Sequence, residues 1–413
     1  MIRISSQQIF SGGINRMQDL NGNLNQTQEQ ISTGKRVNKP SDDPVAAARI
    51  LKLDQELSRI ETYQRNAGLA ENRLQQEEST LGDSVDVIQR VRELTVQAGN
   101  GSLSANDRQS IASEIKERLG QLANIANTRD ASGEYIFSGF QGNTAAFEKD
   151  ASGSWAYQGD EGQRVLEIDD GVTVPISDHG KGIFESVDSA EPTFSAKVAP
   201  GDTSGATISS GVVVDQDAYN TFYDGTKNDL VVDIVSDTPE PRYEIRSRNA
   251  PETDSPLDSG VFESGDPIEF NGMQFEINDG VADESSFVLT TSEKQSVFST
   301  MEKLIYGLDN IDKVDAAGNE AYDDLIATSL QNLDNAQESI VKKQTELGGR
   351  LNAVESTKSF LEDSSVYSED IRSELRDVDY AEAISNLSFQ SFVLQAAQQS
   401  FAQVSRLSLF DRL

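Results

Sequence analysis

The chain holds a single histidine, His179, within the glycine-rich run SDHGKG, and no cysteine. One imidazole without a second, and without any thiolate, cannot supply the nitrogen and sulfur ligands that a transition-metal site draws on, and disulfides are excluded outright. His179 therefore reads as a solvated loop residue. Carboxylates are abundant, 69 acidic against 35 basic side chains. At that density, pairs spaced for acid and base work arise by chance and carry no signal. GKR and HGKG lack the upstream glycine spacing of a phosphate loop, and neither a G-x-S-x-G elbow nor H-E-x-x-H occurs. The acidic run DQDAYNTFYDG misses the ligand spacing of a calcium loop. These readings predict no enzyme, no metal and no cofactor.

What remains is the chemistry of surfaces. The formal net charge of −34 makes nucleic acid or an anionic membrane an unsuitable partner, since phosphate binding needs a clustered positive face. Yet residues 383–405, AISNLSFQSFVLQAAQQSFAQVS, carry no charge at all. Ser385, Asn386, Gln390, Gln395, Gln398, Gln399 and Gln403 interrupt that stretch too often for a membrane span. A helix that is polar but uncharged, with apolar residues on a broad arc, is expected to be contacted nearly all round. Residues 1–44 are almost neutral as well, with five basic and four acidic side chains. The start, MIRISSQQIFSGG, does not read as a secretory signal peptide.

The elements that position these ends follow from periodicity. Phe10, Met17, Leu24 and Ile31 recur every seven residues, with Gly13, Leu20 and Thr27 between them, which predicts a helix with one apolar seam. It stops in STGKRVNKPSDDP, where Gly34, Pro40 and Pro44 break the geometry; Asp43 is then expected to cap a second helix with Pro44 in its first turn. Ile60, Ala67, Leu74, Leu81 and Ile88 carry that helix to the break at Gly99. A third, with Asn106 as its expected cap, has Ile111, Ile115, Leu119, Leu122 and Ile125 on one face.

Beyond GEYIFSGF, residues 133–140, the period changes from about 3.6 to 2 and a β domain begins. EFNGMQFEI predicts a hairpin turning at Asn271-Gly272, and RVLEI, DLVVDIV, RYEIRS and SFVLTT read as further strands. Residues 148–292 hold 30 acidic and 8 basic side chains, so most of the charge sits in this insert. Helical periodicity returns from about residue 293: Ile326, Leu333, Ile340, Leu347, Val354 and Leu361 are evenly spaced, with Gly348-Gly349 as a weak point. A last helix from about Asp379 carries Leu387, Leu394 and Phe401, flanked by Phe392, Val404 and Leu407.

The predicted class is α+β and multidomain. Residues 1–44 with 366–413 form a terminal helical assembly domain, 45–147 with 293–365 a helical rod, and 148–292 an acidic β-rich outer domain. The assembly surface is expected to comprise Phe10, Met17, Leu20, Leu24, Ile31, Ile384, Leu387, Phe392, Leu394, Phe401, Val404, Leu407 and Phe410. Two paired helices cannot bury both neutral surfaces, so other copies of the chain are expected to complete the contact. The competing reading is a surface module whose acidic β domain binds a ligand, with the helices as a stalk.

ISTGKRVNKPSDDPVAAAR, residues 31–49, resembles the hallmark of the bacterial flagellin superfamily, with Gly34, Lys35, Arg36, Asp42, Asp43 and Pro44 forming its turn. Within that superfamily MIRISSQQIF, GEYIFSGF with Phe147, and VSRLSLFDRL look like the hook–filament junction branch more than the filament subunits. The resemblance covers about residues 1–147 and 293–413, and the insert matches nothing nameable. It implies a flagellin-like fold with paired terminal helices, a long helical bundle and an inserted β-rich domain. It further implies a ring of identical subunits, bounded on the hook side by another hook-associated junction protein and on the far side by flagellin or an adjacent junction protein. Export through the flagellar type III channel is implied too. So is a cytoplasmic export chaperone that holds the C-terminal region, where Leu387, Phe392, Leu394, Phe401 and Leu407 lie.

Overall fold

The computed structural model describes residues 6–410 apart from 225–227, 236–239, 251–254 and 279–284, and side chains from 11 to 403 within those limits. Phe10, Val404, Leu407 and Phe410 of the expected assembly surface thus lie outside the described side chains. The chain divides into two compact units, residues 1–66 with 356–413, and residues 67–355.

Three helices open the chain: α1 (Ser6–Thr33), α2 (Pro44–Ala98) and α3 (Ala105–Ala126). Asp43 caps α2 as its sequence position predicts, its Oδ1 accepting from the N–H groups of Val45 (3.1 Å) and Ala46 (3.0 Å), with Pro44 in the first turn. For α3 the expected cap was Asn106, and the structure corrects it. Ser104 is the N-cap, in a reciprocal box with Asp107.

The β-rich part begins with two hairpins, β1 (Phe147–Lys149) with β2 (Trp155–Tyr157), and β3 (Val165–Asp169) with β4 (Val172–Pro175). There follow β5 (Val187–Val198), β6 (Thr207–Ile208), β7 (Val212–Val213), the short helix α4 (Gln216–Tyr223), β8 (Leu230–Val235), β9 (Arg242–Ser247), β10 (Asp258–Val261), β11 (Pro267–Phe270), β12 (Met273–Asn278) and β13 (Ser286–Gln295). One antiparallel sheet has the order β10-β9-β8-β13-β5; a smaller one runs β11-β12-β6, with β7 also on β12. The predicted hairpin is present: Asn271 and Gly272 both take positive φ, 45° and 79°, the geometry of a type I′ turn. The four other strand readings also fall on strands. Helix returns only at α5 (Val297–Asn310), capped by Ser296, because β13 continues to Gln295. It is followed by α6 (Ala316–Arg376), unbroken through Gly348-Gly349, and α7 (Tyr380–Phe410).

Within residues 67–355 the heptad positions of α2 and α6 do what their spacing dictates: Leu74, Leu81, Ile88, Leu333, Ile340, Leu347 and Val354 are all buried. The two helices run antiparallel, as the contacts Gly82 with Gln344, Arg92 with Asp334 and Tyr322 with Ala98 O require. Their core continues into β1–β4 and a short π-helical turn at Lys181–Glu185, through Phe137, Phe147, Phe184 and Phe298. GEYIFSGF is explained here. Phe137 is buried, while Gly139 (φ +68°) lies so close to Asp160 that any side chain would collide with it. A second core, from Phe194 to Leu289, lies between the two larger sheets around the buried Tyr219.

Candidate assembly surface

The two sequence-neutral ends meet in the unit formed by residues 1–66 and 356–413. On α1 the positions Gly13, Met17, Leu20, Leu24, Thr27 and Ile31 are covered, with Gly12 and Gln30 beside them, while the intervening residues are open. On α7 the covered positions are Ala383, Leu387, Gln390, Leu394, Ala397 and Phe401, with Val393 beside them. Both series step by four and three residues, so two matching a/d seams face each other. The helices are antiparallel. The Phe401 ring lies 3.1 Å from where a Gly13 Cβ would stand, and Tyr380 Oη lies 3.0 Å from the corresponding point of Gly34. A glycine at 13 therefore lets the ring seat directly on the backbone of α1.

At the other end the turn residues lock the pair. Gly34, at φ +72°, closes α1 in the left-handed conformation that ends many helices. Its carbonyl accepts from Val378 N (3.0 Å), and Arg36 N donates to Arg376 O (2.6 Å), so the α1–α2 turn pairs by backbone with the α6–α7 break. The Arg36 guanidinium adds a bond to Leu375 O (2.8 Å), satisfying a carbonyl left open at the end of α6. It also lies 4.0 Å from Asp43. Asp42 turns its carboxylate inward on the N–H groups of Asn38 (3.1 Å) and Lys39 (2.9 Å). Lys39 in turn pairs with Glu29 on α1. Asp379 caps α7, and a bond from Arg376 holds the neighbouring Asp377 carboxyl below the usual range. Five of the six expected turn residues thus have a structural task; Lys35 contributes its backbone, in a bridge with Asp377.

The expected surface residues separate into two sets. Met17, Leu20, Leu24, Ile31, Leu387, Leu394 and Phe401 are half-buried along the α1–α7 seam. Ile384 and Phe392 are not: they are 53% and 69% exposed, and Phe389, absent from the sequence-based set, is 67% exposed. At 100° per residue these three occupy an arc of roughly 140° turned away from the seam. Tyr380 on α7, Val366 and Tyr367 on α6, and Val45 and Leu51 on α2 are open as well. The signal that identifies Phe389 is the absence of charge along the helix, not heptad position.

Among the described residues no group of three or more metal-ligating side chains occurs, and no helix is long and apolar enough to cross a membrane. His179 sits in a loop, its Nδ1 accepting from Gly182 N at 3.2 Å.

This pairing of chain ends coincides with two known sequence regions: residues 4–142 match the bacterial flagellin N-terminal helical region, and residues 330–412 match the bacterial flagellin C-terminal helical region. The chain belongs to the bacterial flagellin family. Within it, the similarity runs full length to the flagellar hook-associated protein 3 of Salmonella typhimurium, 26% identical over 99% of both chains, and of Escherichia coli, 27% identical over 99% of both. The flagellin of Listeria monocytogenes, by contrast, is 30% identical over only 26% of this chain and 38% of its own. Among solved structures, hook-associated protein 3 of Legionella pneumophila is 28% identical, with a TM-score of 0.54 over 79% of this chain and 98% of that one. Since the similarity to hook-associated protein 3 spans 99% of the chain, it includes the acidic insert, which the sequence motifs alone left unmatched.

Proposed function

We propose that this protein is a structural junction component of the bacterial flagellum, which assembles through its terminal helices into a ring between hook and filament and supports filament growth. It is a building element and not a catalyst. The observation that carries the reading is the α1–α7 pair, joined along one seam while the open face of α7 is apolar and uncharged over residues 383–405, in a chain that resembles hook-associated protein 3 from end to end. Burying Ile384, Phe389 and Phe392 against neighbouring subunits would contribute about 1.5–3 kcal/mol each.

On this reading residues 1–44 and 366–413 line the inner tube, 45–147 and 293–365 form the rod, and 148–292 face outward. The ring meets another hook-associated protein on one side and flagellin or a further junction protein on the other. Before export by the flagellar type III route, a cytoplasmic chaperone covers the C-terminal region that holds Leu387, Phe392, Leu394, Phe401 and Leu407. The test is removal of the gene followed by electron microscopy and complementation. Hooks without attached filaments, restored by the wild-type gene, are expected; filaments that remain attached in its absence would overturn the proposal.

A further inference from the structure

The sheet of the second core has a second face. Phe194, Ala196, Phe287 and Leu289 point into that core, so strand alternation sends Thr193, Ser195 and Lys197 of β5 and Thr290 and Ser292 of β13 the other way. Ser195 opposes Thr290, and Thr193 opposes Ser292. These side chains form one wall of a cleft of about 310 Å³. The facing side is the start of α5, with its N-cap Ser296 and with Ser299, together with the π-helical turn that carries Lys181 and Glu185.

Four lysines, Lys181, Lys197, Lys294 and Lys303, line this cleft against one carboxylate, Glu185. Cations thus outnumber carboxylates among the lining side chains themselves, in a chain of net charge −34. Glu161 and Asp188 pair with Lys181 (2.6 Å) and Lys294 (4.0 Å), but neither lines the cleft. Lys303 is the informative member. It is buried, and its Nζ donates to Thr193 Oγ1, Phe194 O (2.6 Å) and Gln295 Oε1 (3.3 Å), all of them neutral. The adjacent Glu302 directs its carboxylate to Trp155 N (3.1 Å) and Ser210 Oγ (3.2 Å). Burial pushes the Lys303 ammonium down to about 7, with the charge of Glu302 acting the other way and the Phe194 ring 4.8 Å from Nζ, so a negative group in the cleft would favour its charged form. Hydroxyl donors and a helix N-terminus beside it suit an anion whose oxygens accept several hydrogen bonds.

We propose that this cleft binds a small oxyanion, sulfate or phosphate, either free or as the ester on a sugar. Ammonium groups supply the charge, and Ser195, Ser292 and Ser296 the hydrogen bonds. Its volume admits a single ester-bearing sugar ring and little more.

Thermal unfolding of the full chain, followed by circular dichroism, tests this with sodium sulfate or phosphate against sodium chloride at matched ionic strength. A midpoint that rises saturably with oxyanion and not with chloride is expected, as mass action requires of a ligand for the folded state. Lys197→Gln combined with Lys294→Gln, both at exposed side chains, should weaken the apparent affinity at least tenfold, while Lys342→Gln on α6 should leave it unchanged. Glucose 6-sulfate against glucose plus free sulfate separates the sources: tighter binding of the ester identifies a sugar ligand, and equal binding a free anion. An equal response to chloride, or an undiminished response in the Lys197/Lys294 variant, would overturn the proposal.

Discussion

Single residues set the geometry of the α1–α7 pair. Gly34 holds a left-handed φ with Tyr380 against it, so Gly34→Ala should destabilise the pairing by about 1–2 kcal/mol. Faster hydrogen exchange along α1 and α7, with the Ala67–Glu355 unit unchanged, is the expected readout. Asp43→Ala should cost about 1 kcal/mol through the lost cap, and Asp43→Asn little. Elsewhere one titratable side chain gives a pH signature. Glu77 is buried beside Asp178, and burial first, then the Asp178 charge, push its carboxyl up to about 8. Asp178 itself, bonded to Arg350 at 2.8 Å, is held below the usual range. Folding therefore keeps a proton on Glu77 that the unfolded chain, at its ordinary value of 4.5, releases. The stability this proton confers is fully present below pH 4.5 and is lost as pH rises through about 8. Urea unfolding should find the wild type weaker at pH 9 than at pH 5 by up to a few kcal/mol. In Glu77→Gln that difference should shrink.

At the scale of elements, legibility followed length. The seven-residue spacings of α1, α2, α6 and α7 are readable because a seam of three to six evenly spaced apolar positions leaves one helical face no alternative. The Asn271-Gly272 hairpin was equally plain, since two consecutive positive φ angles demand those residue types. Short or mixed segments were not. The eight-residue helix α4, capped by Asp215, lies inside an acidic run that gives no amphipathic stretch long enough to count. β5 contains Pro192, which sequence patterning treats as a strand breaker, although the pairing slips between Ser292 and Lys294 next to it. Ser104 is hard to recognise as the cap because Asn106, also a capping type, stands nearer the first apolar residue of the face, Ile111. Heptad position likewise found Leu387, Leu394 and Phe401 but not Phe389, which lies outside the seam. The seam and the open face should therefore separate by mutation. Phe401→Asp places a charge against the backbone of α1 at Gly13 and should free both helices in the monomer, which limited proteolysis would detect as cleavage on both sides of the turn.

For the whole molecule, two cores within residues 67–355 imply two parts with different jobs. Thr193 and Ser292 are cross-strand partners, so a two-residue Asn-Gly turn replacing residues 194–291 spans the gap between them. That variant should keep its helical circular dichroism, since among the described residues the helical core draws only Val212 and the partly buried Val214 from the excised segment, and should still assemble; loss of assembly would assign the insert a part in the ring. The most direct measurement is complementation of a strain lacking the gene with Phe389→Ser/Phe392→Ser, combined with circular dichroism of the purified variant. Both rings are solvent-exposed in the monomer, so the fold should be unchanged while filaments fail to attach. Normal filaments and motility with this variant would contradict an assembly surface on the open face of α7.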